Sequence, residues 1–465
     1  MNAPTERPST QVAQHLPFQL WPFQNGVVDN LAYLDRAGLY LDVGMGKTIT
    51  SAAIALFKMR IGMISQVVVI APPILITNWV RTLSQIEGVE PVAYRGTPKQ
   101  RSKIELDGKW VVAGYQIFKR DHDRFMELSH TKRVLAIADE AQALKNVGTD
   151  NYKKFRDFTA GHSIMLLTGT PISTPVDGYA MVKMVSPQIY KTYHQFCSIH
   201  VEKYDFFDRP EKFMNLDLLY QNLETNAVRI LKQDVMEDLP KMNYNVIEYD
   251  LDPKHYKLYK QVAESEMVRL SNGDMMDFAN ASALFQNLNQ LVCNAEFYSE
   301  GAVDSTIFEL IQETLDEIGD KKLVIYTYYR RTSEAVFNRM KDTGLDPALV
   351  YGGTSNHQRE IDKFISSAKC RVMVLAVPAG GAGVDGLQTV CHEGLFIELP
   401  SRAVPFHQST GRLLRGGQKF PVNMRIALAK GTLQMRMWQL VLENDSLANM
   451  CVRGLKDIRD AVYGG

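Results

Sequence analysis

Eight short apolar runs, spaced by longer amphipathic stretches, limit what this chain can fold into. QVVVIA (66–71), KWVVAG (109–114), RVLAIA (133–138) and SIMLLTG (163–169) form one set; KLVIYTY (322–328), PALVYGG (347–353), RVMVLAV (371–377) and GLFIELP (394–400) form a second. Runs without polar alternation suit strands buried on both faces, the condition of a parallel sheet covered by helices on both sides. The interruption between the sets predicts two α/β lobes. From roughly 176 to 300 the pattern turns helical and rich in Met, Tyr, Asn and Gln, and Pro240 and Pro253 place the lobe junction near 240–250. The expected organisation is a flexible tail over 1–17, a first lobe over 18–245 with a helical protrusion at about 176–240, and a second lobe over 246–465 with another at about 252–300.

Charge narrows the function classes. Lys plus Arg and Asp plus Glu both number 52, so the net charge is zero and any polyanion must be held by local contacts. The five cysteines, at 197, 293, 370, 391 and 451, are scattered without a C-x-x-C pair, which argues against a disulfide framework or a zinc ribbon and fits a reducing compartment. The longest apolar run, Val67 to Ile76, is too short to cross a bilayer and is broken by Pro72 and Pro73. Residues 1–17 lack the apolar centre of a signal peptide. The expectation is a cytoplasmic protein with no membrane partner.

Three segments carry chemistry. In LYLDVGMGKTITSAAIAL a strand-like run enters a glycine turn and leaves as an Ala-rich helix, so Gly44, Met45 and Gly46 can offer backbone N–H groups to phosphate oxygens, Lys47 can neutralise them and the Thr48 hydroxyl can hold Mg²⁺. The strict phosphate-loop pattern wants Gly where Leu41 stands, and a chance G-K-T in a loop would leave the same letters. RVLAIADEAQALKN ends a buried strand in Asp139 and Glu140, which suit a metal ligand and a residue that orients attacking water. The same pair also reads as the acidic first turn of a helix. In PFHQSTGRLLRGGQ, Arg412 and Arg415 are three apart and would share one helix face; they read either as guanidinium groups for a γ-phosphate or as a solvated basic helix end.

The ordered series resembles the superfamily 2 helicase-like ATPases, and within them the Swi/Snf-related DNA translocases. DVGMGKT, VVVIAPPILITNWVRTLSQ, GYQIF, DEAQALKN, LLTGTPI, LKQDVMEDLPKMNYNVIEYDL, LVIYTYY, YGGTSNHQREIDKF, LAVPAGGAGVDGLQ and QSTGRLLRGGQ follow one another from about Leu20 to Gln418. The resemblance implies two RecA-like lobes in a minimal form similar to phage or bacterial members, acting in a bacterial or phage-infected cell. It implies that Gln24 reads the adenine edge, that Gly44, Met45, Gly46, Lys47 and Thr48 hold phosphates and Mg²⁺, and that Asp139 and Glu140 are the metal and water residues. Gly383 and Asp385 would contact nucleotide from the second lobe, and Arg412 and Arg415 would complete the site. Thr168, Gly169, Thr170 and Gln408 would couple hydrolysis to movement. Nucleic acid would cross the opposite rim of the sheets at Pro72, Asn78, Gly114, Tyr115, Gly352, Gly353, Thr354, Gly380 and Gly381, mostly through backbone, so with weak sequence specificity. The chain departs from the pattern at Asp385, where the translocases usually carry Asn.

The function this implies is ATP-dependent translocation along duplex DNA, with ATP and Mg²⁺ as cofactors. A strand-separating or fork-remodelling helicase is the alternative. It needs a wedge, and the only candidate is the Tyr/Phe-rich insert around Tyr204 to Phe213, whose aromatics read more readily as packing. A catalytically silent nucleic-acid clamp is a third reading, opposed by the intact Lys47, Asp139, Glu140, Arg412 and Arg415.

Overall fold

Strand residues whose neighbours alternate between two helical layers have no face left for water, and each of the eight apolar runs forms such a strand. The computed structural model describes residues 6–108, 110–172, 174–235, 239–271, 278–352, 354, 356–380, 384–400 and 403–449. The chain divides at 237/238 into two compact units.

In the first unit the strands are β1 (Arg36–Leu41), β2 (Gln66–Ala71), β3 (Pro91–Tyr94), β4 (Trp110–Gly114), β5 (Val134–Asp139), β6 (Ser163–Leu167), β7 (Val201–Tyr204), β8 (Pro210–Phe213) and β9 (Ala227–Ile230). Among the described residues they make a seven-stranded sheet, ordered β3-β4-β2-β5-β6-β1-β9, and a separate β7–β8 pair. Every pairing in the large sheet is parallel. Its core is Val68, Ile70, Val111, Ala136 and Leu166 from the strands against Phe118, Phe125, Phe155 and Phe158 from the covering helices. Full burial of each of these side chains other than Ala136 is worth about 1.5–3 kcal/mol before entropy is counted.

The second unit contains β10 (Met242–Tyr249), β11 (Leu323–Thr327), β12 (Ala348–Val350), β13 (Val372–Ala376), β14 (Glu393–Phe396) and β15 (Val422–Ala429), ordered β10-β15-β14-β11-β13-β12. These pairings are parallel too. Val324, Tyr326, Met373 and Leu375 pack on one face of this sheet. Leu323, Ile325, Val372 and Val374 pack on the other. Strict alternation with both faces apolar is why these segments read as unbroken hydrophobic runs. Helices Pro253–Ser271 and Phe278–Cys293 precede β11.

Two expectations change. The chain before residue 17 is not a loose tail where described: Pro8–Val12 is a helix with Ser9 and Val12 buried, and the Ser9 amide donates to Asp29 Oδ1 at 2.8 Å. Pro8 in the first turn makes that short helix cheap to start. The segment expected as a helical protrusion at 176–240 is only partly helical. Helices Asp177–Val185, Tyr193–His200 and Leu216–Glu224 are interleaved with the β7–β8 hairpin and with β9, which joins the sheet edge beside β1. No helix among the described residues is long and apolar enough to cross a membrane.

Candidate functional site

Parallel strands finish at the same edge, and the register fixes which finishing residues are neighbours. Gly114 pairs with Ala71, Ile70 with Ala138, Asp139 with Leu167, and Leu167 with Leu39. Reading across that edge, the residues leaving the sheet are therefore Tyr115, Pro72, Glu140, Thr168 and Asp42. The expected phosphate, metal and coupling segments are brought side by side. Pro72 and Gly114 lie on this same edge, not on an opposite rim, because β2 and β4 run parallel to β5 and cannot end elsewhere.

The first glycine of the turn, Gly44, comes three residues after the position where the strict pattern wants one. Leu41 is the last residue of β1 and fully buried, so no glycine is needed there. Gly44 (φ 84°) and Gly46 (φ 74°) take the left-handed conformation. A side chain at Gly46 would also collide with the Gln24 carboxamide. Gln24, buried in the first turn of helix Pro22–Leu31, donates from Nε2 to the Met45 carbonyl at 3.1 Å and accepts the Trp21 amide at 2.8 Å. Lys47 opens helix Lys47–Arg60 and folds back, its Nζ donating to the carbonyls of Leu41 (2.9 Å) and Asp42 (3.3 Å). Thr48, half-buried, is the next residue of that first turn.

Asp139 is 5% exposed. Trp79 Nε1 donates to its Oδ2 at 2.7 Å and the Glu140 amide to its Oδ1 at 3.0 Å. Burial and then the Glu140 charge push its carboxyl up to about 6, against the Trp79 hydrogen bond and the nearby Lys47. Glu140 has φ 50°, a left-handed setting that costs a non-glycine residue about 1–2 kcal/mol and is typical of functional turns. Gln142 Nε2 donates to Glu140 Oε2 at 2.7 Å, its Oε1 accepts Thr168 Oγ1 at 2.9 Å, and Thr168 Oγ1 accepts the Thr170 amide at 3.0 Å. A continuous chain thus joins Glu140 to Thr170. Gly169 packs over the turn, where a Cβ would contact the Leu41 carbonyl at 3.5 Å and the Val43 amide nitrogen at 3.6 Å. Gln142, the fourth letter of DEAQ, and Trp79, of the Asn-Trp pair, are visible in the sequence motifs but are given no site role there; only the fold shows what they touch.

The residues expected to touch nucleic acid differ among themselves. Asn78 is half-buried and accepts from Arg81 at 2.8 Å. Tyr115 is buried and spends its hydroxyl internally, on the Asp139 carbonyl at 2.9 Å. In the second unit Gly352 is exposed after β12, and Thr354 closes the turn, its amide donating to the Tyr351 carbonyl at 3.0 Å. Gly380 ends the short helix Val377–Gly380. Gly353, Gly381 and Gly383 lie outside the described residues.

Arg412 and Arg415 do not share a helix face: helix Ala403–Thr410, which carries half-buried Gln408, ends before them. They follow in a turn and are buried, so they are not a solvated basic end either. Arg415 forms an ion pair with Asp385, and Arg412 lies 3.9 Å from the same carboxylate and donates to the Val384 carbonyl. Burial lowers Arg415 to about 10.

The aromatic insert also departs from expectation. Phe213 packs on the core, but Phe206 is 95% and Phe207 71% exposed at the tip of the β7–β8 hairpin. Asp205 Oδ1 accepts the amides of Phe207 and Arg209, each at 2.8 Å, and its own amide donates to the Arg209 carbonyl. A turn braced in this way displays two rings to water.

Residues 34–297 match the SNF2-related domain, more than half of the chain. The chain belongs to the SNF2-related family. This SNF2-related chain is 23% identical to an ATP-dependent helicase of Bacillus subtilis, over 95% of its own length and 80% of the relative's. It is 23% identical to an ATP-dependent helicase of Mycoplasma pneumoniae over 88% of its length, and 23% identical to the mouse DNA annealing helicase and endonuclease ZRANB3 over 94%. It spans 39% and 41% of those two relatives. The SWI2/SNF2 ATPase core of Sulfolobus solfataricus, solved in complex with dsDNA, matches at 21% identity and a TM-score of 0.45, over 96% of this chain and 98% of that one.

Proposed function

We propose that this SNF2-related chain is a DNA-stimulated ATPase that translocates along duplex DNA with little sequence preference. The observation that carries the reading is the chain from Glu140 through Gln142 and Thr168 to Thr170, set beside the Lys47 turn at one sheet edge. A nucleotide hydrolase needs charge neutralisation, a water-orienting carboxylate and a link that reports the phosphate's state, and these residues supply each. Lys47 releases its two carbonyls to take up phosphate oxygens. Glu140, held by Gln142, orients and deprotonates the attacking water. Arg412 and Arg415 offset charge that develops on the transferred phosphoryl group, and Gln24 discriminates the base.

The donor set suits Mg²⁺, a cation that favours hard oxygen ligands: a buried carboxylate on Asp139 and a hydroxyl on Thr48. Those two residues would hold it, and it would supply charge neutralisation across the phosphates. The two units act as RecA-like lobes in this reading, in the cytoplasm of a bacterial or phage-infected cell. The relatives named as helicases, one of them a DNA annealing helicase, support DNA as the polymer.

ATP turnover measured with duplex DNA, single-stranded DNA and RNA tests the proposal. Duplex DNA raises turnover most, while Lys47→Ala and Glu140→Gln each cut it by about 10³-fold or more, with unchanged folding by circular dichroism. Persistent turnover in either variant counts against the site. Strand separation is the second reading, favoured by Phe206 and Phe207 standing in solvent on a braced hairpin. Replacing both with Ala leaves duplex-stimulated turnover intact in either case, and abolishes fork unwinding only if the hairpin is a wedge.

A further inference from the structure

Two hydrogen bonds tie the residue expected to hold Mg²⁺ to segments expected to hold nucleic acid. Trp79 lies in helix Ile76–Leu83 directly after Asn78, and its indole N–H reaches Asp139 Oδ2 at 2.7 Å. Tyr115 opens helix Tyr115–Arg120 directly after Gly114, and its hydroxyl reaches the Asp139 carbonyl at 2.9 Å. Trp79 is 1% and Tyr115 7% exposed, so neither side chain is itself a surface contact. One bond fixes the carboxylate and the other fixes the peptide that leads into the left-handed Glu140. A buried indole N–H needs an acceptor, but any backbone carbonyl would serve. Here it takes a carboxylate, and charge-assisted bonds of this kind are about twice as strong as neutral ones.

We propose that Trp79 and Tyr115 are positioning residues that transmit nucleic-acid engagement to Asp139 and Glu140. The inference rests on the reading above as a DNA-stimulated ATPase and deepens it. Each strut spans one residue step: in this reading the polymer bears on the segment holding half-buried Asn78 or on the β4 exit at Gly114, itself buried, and the next side chain meets the metal residue. A helical turn moves as a unit, so a displacement at Asn78 arrives at the indole. A shift of about 1 Å would carry a bond of this length beyond the ~3.5 Å at which it stops counting as one. Misplacement on that scale can cost about 10²-fold in rate. Engaged polymer then holds both struts at their working length and the two carboxylates in register with the Lys47 turn.

The test compares kcat with and without saturating duplex DNA for the whole chain and for Trp79→Phe and Tyr115→Phe, which keep the rings and remove only the donors. The ratio of stimulated to basal kcat falls about tenfold or more in Trp79→Phe and about threefold or more in Tyr115→Phe. Half-saturating Mg²⁺ rises in Trp79→Phe, and the Kd for duplex DNA does not change. The double variant loses no more stimulation than Trp79→Phe alone, because both struts act on one residue, Asp139. Equal losses of basal and stimulated kcat, or an unchanged ratio in both variants, overturn the inference while leaving the DNA-stimulated reading in place. Wild-type turnover that DNA does not raise overturns that reading and the inference with it. If Trp79→Phe does not fold, Tyr115→Phe alone decides through the same ratio.

Discussion

The two units treat their candidate phosphate-facing charges differently. In the first, the hydrogen bonds made by those charges include polar neutral groups: two carbonyls at Lys47, an indole at Asp139 and a carboxamide at Glu140. In the second, Arg415 and Arg412 meet a carboxylate, Asp385. Neutral partners yield to an arriving phosphate at the cost of a hydrogen bond. A carboxylate must instead be displaced as a competing anion, and it repels the phosphate while it stays. If these charges meet a nucleotide as proposed, the first unit is arranged to accept it, and the second to withhold its guanidinium groups until something stronger than Asp385 is present.

Arg412→Ala probes that contrast with the largest effect. Turnover falls by two orders of magnitude or more while ATP binding, measured by equilibrium titration, changes little, since a guanidinium that acts on developing charge contributes to the transition state and not to the ground state. Equal losses in binding and turnover would make the second unit a ground-state binder like the first and erase the distinction.

Asp385→Asn is the sharper and smaller test. Asn keeps the size and a hydrogen-bond acceptor but removes the competing charge. The KM for ATP falls about twofold to fivefold as the carboxylate's repulsion of the phosphate is lost, on the scale of a partly exposed charge interaction. A rise in KM would mean that Asp385 aims the arginines and does not hold them back.

Much of this arrangement was legible because it follows from strand order and letter pairs. The continuous apolar runs marked the strands buried on both faces, and DVGMGKT and DEA marked their exits. β10 escaped notice because it lies at a sheet edge and is only partly buried, with alternating exposure. β9, one of the strands at the other sheet's edges, is half-buried throughout and carries Arg229. The rim placed wrongly for Pro72 and Gly114 is a register fact: no local pattern reveals that β2 lies between β4 and β5. The exposure of Phe206 and Phe207 reverses what aromatic residues do on average, and the inward turn of Tyr115 reverses its expected surface role, because a braced turn decides the one and a tertiary partner the other.

A buried carboxylate at the exit of a strand is common to both units, and its chemistry separates them once more. Asp139 shares its surroundings with Glu140 and Lys47. Glu398, two residues past β14, instead accepts the amides of Tyr328 (2.7 Å) and Tyr329 (3.0 Å) and the Thr332 hydroxyl (2.6 Å), around the N-terminal end of helix Arg330–Asp342. Burial pushes its carboxyl up to about 7 from a usual 4.5, against those hydrogen bonds. The folded second unit therefore keeps a proton that the unfolded chain gives up, so this group's contribution to stability is complete below the usual value of 4.5 and is lost as pH rises through about 7. Glu398→Gln mimics the protonated form: its oxygen can take the two amides and its nitrogen can donate to Thr332. The variant flattens the pH dependence of thermal unfolding across that window and gains on the order of 1–3 kcal/mol over the parent at pH 8, while turnover stays within about twofold. Turnover falling with the pH profile unchanged would make Glu398 part of the chemistry, and the contrast between a reactive acid in one unit and a scaffolding acid in the other would fail.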